Sequence, residues 1–344
     1  MHPVIGRVLI ACGLTLGFSC VSAWAAGPDN SEDICTTAAV IFCENFETRA
    51  VVPAYQTLNL PIYKNNGWQP YAYDCMRVTD NPTGIFDGTR AYEDVYYEGP
   101  TTGCGYLYTI FPGGPYTELY FRWYTKHSSN FVWSQVANKL MNWLNSAQIL
   151  RGHLGGYRLT AGTTVMDIGV DTLGWAQPGT DGCNTAALQP YANLPGQHCE
   201  LQPNENGLTP YVAGVWYCEE VHLRMNTCPT CANGLVEKWI GVGTDPTQVR
   251  HWNYPNVVVD GGTASYNQQI SGISSASYWN CNAGDLPTNP DGSCSPGTNS
   301  FHPLMYRWKD NFVVSTQRIG CLGNPVAPQS GTTPPRAPTN LRVI

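Results

Sequence analysis

What most constrains this chain is the length and punctuation of its apolar runs. Runs lie at Ala38–Glu47, Gly103–Phe111, Glu118–Lys126, Gln148–Leu154, Thr164–Val170, Val215–Asn226, Leu235–Val242, Asn256–Val259 and Asn311–Ile319. Each is short, alternating or apolar throughout, rich in Tyr, Trp, Val and Thr, and closed by Gly, Pro, Asn or Ser, as strands are. Only Phe131–Asn145 has a partly helical look, with Val136, Leu140 and Trp143 at helical spacing. Many short strands with no helix between them predict an all-β sandwich or barrel. Ala176–Pro210 and Gly261–Pro303, full of Gly, Pro, Asn and Cys, read as long loops that need extra constraints to order them. The remainder fits one β domain of roughly 200 to 250 residues.

Arg7, the apolar stretch Val8 to Leu16, and Ala23-Trp24-Ala25 form a secretory signal peptide. Cleavage is expected after Ala25; Cys20 as a lipoprotein anchor is the weaker reading, because Leu16 stands four residues before it and Phe18 intrudes. No later stretch reaches the roughly 18 apolar residues of a membrane helix, so no membrane insertion is expected, and the product should be secreted or periplasmic. Cys12 and Cys20 fall in the leader and leave an even set among the 14 cysteines. In an exported chain that predicts disulfides, local pairs such as Cys35 with Cys43, Cys183 with Cys199 and Cys281 with Cys294 first among them. Cys228-Pro-Thr-Cys231 reads as a structural disulfide ahead of a redox pair or half a zinc site. Net charge is -7, which argues against nucleic acid as a partner. The expected organisation is a signal peptide (1–25), one β domain (26–325), and a Pro-rich tail (326–344) whose end looks like the first strand of a fibronectin type III domain.

Two strands carry the chemistry. In Glu118–Lys126, alternate residues put Leu119, Phe121, Trp123 and Thr125 on one face and Glu118, Tyr120, Arg122, Tyr124 and Lys126 on the other. In Val215–Asn226, Tyr217, Val221, Leu223 and Met225 form an apolar face that Glu219 interrupts; Cys218, Glu220, His222, Arg224 and Asn226 form the polar one. If the strands share a sheet, the polar faces line a groove suited to an acidic sugar chain; if not, each is an ordinary wet face. GxSxG, P-loop, GxGxxG and HExxH motifs are absent from the sequence.

The ordered segments FCENFE, ELYFRWYTKHSSNFVW with NKL after it, GVWYCEEVHLRMNT with NGLVEKWI, and RWKDNFVVSTQRIG resemble bacterial polysaccharide lyases of the heparin lyase I-like and family 14 alginate or glucuronan lyase group. The resemblance implies a concanavalin A-like jelly roll of two antiparallel sheets, here with long disulfide-bonded loop insertions. It also implies β-elimination from uronate polymers, which needs a group to neutralise the carboxylate, a base for the α proton and an acid for the leaving oxygen. Arg122 or Arg224 is then the neutralising group, Tyr124 or His222 the base, and Lys126 or Lys139 an assisting cation. Glu118, Tyr120, Lys126, Glu220, Arg224 and Asn226 complete the expected contacts to a polysaccharide. No cofactor is required; Glu47 and Asp310 are the candidate ligands of a structural calcium. Two departures stand out. Lys139 sits in Asn-Lys-Leu-Met-Asn where relatives read Gly-Lys-Leu-Pro-Gly, and Thr164–Gly169 lacks the tyrosine pair of the family 14 strand. A glycoside hydrolase of this fold would show ExDxxE, which is absent. A non-catalytic, lectin-like glycan-binding or adhesion module is the alternative.

Overall fold

In the computed structural model, residues 32–49, 51, 76–96, 109–131, 205–206, 211–228, 231–257, 259, 269–275 and 303–322 are described with their side chains. Strands at 68–70, 102–108, 138–144, 150–158, 166–171, 188–190, 199–201 and 276–279 are described by their backbone. In chain order the strands are β1 (Val40–Glu44), β2 (Trp68–Pro70), β3 (Met76–Thr79), β4 (Ala91–Tyr96), β5 (Thr102–Ile110), β6 (Glu118–His127), β7 (Asn138–Leu144) and β8 (Leu150–Arg158). They continue with β9 (Met166–Asp171), β10 (Leu188–Pro190), β11 (Cys199–Leu201), β12 (Trp216–Arg224), β13 (Gly234–Val242), β14 (Val249–Val257), β15 (Gly272–Trp279) and β16 (Met305–Ser315). Helical structure among the described residues is limited to single 3-10 turns at Asp33–Thr36 and Pro82–Gly84.

All pairings are antiparallel and make two sheets. The first, called the closed sheet below, runs β14-β13-β12-β6-β16-β4-β3, with β1 also on β16; the second runs β10-β11-β9-β8-β7-β15-β5-β2. The alternation in β6 decides how the closed sheet lies. Leu119, Phe121 and Trp123 are buried in the main core beside Val221 and Leu223 of β12, Val236 and Ile240 of β13, and Phe312 and Val314 of β16. Ile270 and Ile273, the latter on β15, belong to the same cluster, so this face looks toward the second sheet. Each large side chain so buried contributes roughly 1.5–3 kcal/mol.

The inward face is not wholly apolar. Glu219, the intruder in the apolar face of β12, meets Lys238 of β13 at 3.0 Å with both side chains fully buried. Further along, Arg307 Nε donates to Asp94 at 2.9 Å, and Lys309 Nζ donates to Ser275 Oγ at 2.6 Å, tying the two sheets together.

Two expectations are corrected. Within the segment with helical spacing, Asn138–Leu144 is strand β7, both its edges taken up by pairing with β8 and β15; Val136 lies outside the described residues. Within the expected loop Gly261–Pro303 lies β15, which is inner to the second sheet between β7 and β5. Its sequence, Gly-Ile-Ser-Ser-Ala-Ser-Tyr-Trp, is too small and polar to read as a strand. The Ala176–Pro210 stretch likewise contains β10 and β11. Disulfides join Cys35 to Cys43 and Cys228 to Cys231, as expected, and also Cys218 to Cys321. The expected partners of Cys183 and Cys281, the leader and the tail lie outside the residues described with their side chains.

Candidate functional site

β6 and β12 are neighbours in register, so their polar faces do share one surface. Glu118 stands opposite Arg224, Tyr120 opposite His222, Arg122 opposite Glu220, Tyr124 opposite Cys218 and Lys126 opposite Trp216. That surface is the outward face of the closed sheet, and it is not an open groove. Arg122 and Tyr124 are each 1% exposed and Glu220 0%. Two pieces of chain cover them. From one end, the turn Asp33–Thr36, stapled to β1 by Cys35–Cys43, brings Glu32 into an ion pair with Arg122. From the other, the segment after β16 is stapled to β12 by Cys218–Cys321. There Ile319 N and Gly320 N donate to Glu220 at 2.6 and 3.0 Å, and Leu322 N donates to the Tyr124 hydroxyl at 2.7 Å. Phe86 stacks on Tyr124 at 3.8 Å. Burial raises the pKa values of Tyr124 and Glu220.

His222 is clamped rather than free. Its Nδ1 lies 2.8 Å from Glu237 and its Nε2 2.8 Å from Glu118, while its ring stacks on Tyr120 at 3.9 Å. Burial alone would lower the imidazole pKa, but the two carboxylates outweigh it and raise it above its ordinary value. Glu118 is correspondingly lowered, first by its hydrogen bond to His222. Arg250 extends the network, bonding Glu237 at 2.8 Å and Glu205 at 2.7 Å. Both ring nitrogens therefore already face a carboxylate. Lys126 donates to Thr83 O at 2.7 Å and lies between the Trp216 and Trp308 rings. Asn226, just past β12, holds Cys228 O at 2.5 Å, and Arg224 is exposed.

Lys139 belongs to neither strand but to β7 in the second sheet. Of the four residues expected to act together, Arg122, Tyr124 and His222 share the closed sheet and Lys139 stands apart. The two faces of the second sheet can be told apart on β15. Ile273 is in the core and Ser275 takes the Lys309 bond, so the Ser274 level faces away from the closed sheet. Residues paired directly across a sheet share a face. The Ser274 level therefore continues, strand by strand, as Gln69–Tyr108–Ser274–Asn142–His153–Asp171–Glu200–Gln189. Every position in that row is polar. The bulge between Lys139 and Met141 puts Lys139 in the next level, opposite Tyr278 on one side and Gly155, then Gly169, on the other. Tyr157 and Asp167 pair one level further on. Because Met166–Asp171 is a regular strand, Asp167, Gly169 and Asp171 share a face. Asn142, His153 and Tyr157 are not among the residues expected from the sequence, where their only local signal is alternation within β7 and β8.

Glu47 and Asp310, the expected calcium ligands, grip opposite ends of one loop. Glu47 accepts from Thr89 N and Arg90 N at 2.7 and 2.8 Å; Asp310 accepts from Phe86 N and Asp87 N, each at 3.3 Å. Burial raises the pKa of Asp310 well above the usual carboxylate range. Among the described residues no group of three or more His, Cys, Asp or Glu is placed to hold a metal ion. Among them, too, no helix is long and apolar enough to cross a membrane.

No family model matches the chain, and no curated protein matches it. Solved structures do. A mutant of the alginate lyase Aly36B in complex with an alginate trisaccharide matches over 80% of this chain and 98% of its own, with a TM-score of 0.51 and 13% identity. The endo-β-1,4-glucuronan lyase from the fungus Trichoderma reesei covers 76% of this chain and 93% of its own, with a TM-score of 0.42 and 12% identity. The cellulose induced protein Cip1 covers 81% and 99%, with a TM-score of 0.42 and 14% identity. At such identities the likeness to the Aly36B structure is one of fold, and the fold of this chain is the all-β jelly-roll sandwich.

Proposed function

We propose that this protein is exported and binds an acidic, uronate-bearing polysaccharide across the outward face of the second sheet. The observation that carries the reading is the unbroken polar row through Ser274, with Lys139 one level beside it. A sugar chain laid across the strands would meet a hydroxyl, amide, imidazole or carboxyl position on nearly every strand, and one lysine for a carboxylate. Neighbouring glycines, Gly155 and Gly169, let a ring approach the backbone closely, a common use of glycine inside a strand. Ser274 itself is fully buried, so the contacts proposed are those of the strands on either side of it.

Cleavage by β-elimination is the finer part of the proposal. Lys139 would neutralise the uronate carboxylate, and His153 or Tyr157 would take the proton α to it. A double bond then forms as the glycosidic C–O bond breaks, and the leaving oxygen takes a proton from the residue that accepted the α proton or from water. Arg122, Tyr124 and His222 take structural parts in this version, since each is buried in bonds to the chain itself. The lectin-like reading keeps the same face and drops the proton transfers. A structural calcium near Asp310 belongs to the proposal as a stabilising ion, expected to raise Tm when added after chelation.

The test uses purified protein with alginate, glucuronan, pectate and heparin, following both binding and the ultraviolet absorbance of an unsaturated uronate. Lys139→Ala should weaken binding by about tenfold, one charged contact's worth. It should also abolish any absorbance change. Saturable binding without absorbance selects the lectin form. If no uronate polymer binds, or if Lys139→Ala binds as the wild type does, the assignment to this face fails.

A further inference from the structure

The two chain segments that cover Arg122 do not meet. Between them is a pocket of about 220 Å³, lined by Glu32, Asp33 and Ile34 from one cover, Ile319 to Leu322 from the other, and Arg122 at its floor. The floor is polar and incompletely bonded. Arg122 and Glu32 pair with each other, yet Nε and Nη1 of Arg122 and Oε1 of Glu32 are buried with no hydrogen-bond partner among the described residues. Buried donors and acceptors left unpaired are costly, so an arrangement that leaves three beside a pocket asks for something to fill it.

We propose that this pocket is a binding site for a single neutral sugar ring, on the opposite side of the sandwich from the polysaccharide face and independent of it. Charge excludes the simpler ligands. A free anion would face Glu32 and Asp33 at the walls and Glu220 paired across from Arg122. A cation would leave the Arg122 donors unmet. A hydroxyl satisfies both needs, because it accepts from a guanidinium and donates to a carboxylate at once. Two adjacent hydroxyls can do so for Arg122 Nη1 and Glu32 Oε1 together. Size agrees: at roughly 30 Å³ per water the pocket holds about seven, room for one ring and not for a chain. Ile34, Ile319 and Leu322 supply apolar walls for the C–H faces of such a ring, the usual composition of a small-molecule site.

The experiment is saturation-transfer NMR and calorimetry on the full protein with the methyl glycosides of glucose, galactose, mannose and xylose, with acetate and glucuronate in parallel. At least one neutral glycoside should bind saturably and more tightly than either carboxylate. Glu32→Gln should weaken it by about tenfold, the equivalent of one hydrogen bond to a charged group. Ile34→Phe fills the pocket without touching the polar floor, so it should abolish binding even if Glu32→Gln proves too unstable to study. The proposal is overturned if no neutral glycoside binds, if a carboxylate binds better, or if Ile34→Phe leaves binding unchanged. None of these outcomes bears on the Lys139 face, whose polymers are too large for this pocket.

Discussion

Replacing His222 by glutamine should cost stability in a way that fades as pH rises. The imidazole, with 4% of its side chain exposed, bridges Glu118 and Glu237, whose side chains are 29% and 14% exposed. Hydrogen bonds to charged groups contribute about 1.5–3 kcal/mol each when well buried. Glutamine can replace one of the two, Glu237 keeps Arg250, and solvent screens the more exposed Glu118. The net loss comes to about 2 kcal/mol, or roughly 4–8 °C in Tm for a domain near this size. The pH dependence follows from the raised pKa of His222. A group whose folded pKa lies above its unfolded value stabilises fully below the unfolded value and loses that contribution as pH rises through the folded one. The wild-type advantage should therefore be whole below the ordinary histidine range and shrink as pH rises through the raised folded value, above which a neutral ring can donate to only one carboxylate. Glu118 and Glu237 have lowered pKa values and stay ionised throughout. Thermal melts of both proteins at matched ionic strength read the difference directly. A gap that is constant with pH, or that widens toward alkaline pH, would refute the imidazolium bridge.

The Glu219–Lys238 pair allows a sharper contrast. Glu219→Gln should destabilise by about 3–5 kcal/mol because it removes the counter-charge of a buried ammonium, whereas Glu219→Leu with Lys238→Met should be near neutral; urea unfolding distinguishes them. Removing the Cys218–Cys321 bond, which spans 103 residues, should cost about 4–5 kcal/mol on the chain-entropy model, against less than about 2 for Cys228–Cys231, which spans 3. Equal losses in urea titrations of the two double-serine variants would discount loop closure as the cause. Gly84→Ala should destabilise by about 1–3 kcal/mol, read by thermal melt, because its Cβ would stand 2.1 Å from the Trp308 indole nitrogen.

The strands that alternate cleanly were legible in the sequence. Glu118–His127 and Trp216–Arg224 show their two faces without ambiguity because the core takes large apolar groups at every second position. Gly272–Trp279 was not, since an inner strand between two others can be built of serine and alanine when its neighbours supply the bulk. Asn138–Leu144 misled for a related reason: Val136, Leu140 and Trp143 match a helical period, and pairing with β8 and β15 overrode it over this stretch. The polar row on the second sheet had almost no signature along the chain. Each strand gives it one residue, and only the register, shifted by the bulge beside Lys139, brings Asn142, His153 and Asp171 into line.

The polar face of β6 and β12 shows where that kind of reading ends. A row of Arg, Tyr, Glu and His on an alternating strand does require partners, because polar groups that leave water without them cost more than the fold can carry. The sequence pattern says nothing about who the partners are. Here they are the segments just before β1 and just after β16: Glu32 answers Arg122, the Ile319 and Gly320 amides answer Glu220, and the Leu322 amide answers Tyr124. One cover is held by a disulfide to β12, the strand it serves, and the other to β1, which pairs with β16 beside β6. Composition alone cannot separate a face satisfied this way from one left for a sugar. What separates them is whether donors and acceptors remain unspent once the chain has closed, and over Arg122 three do.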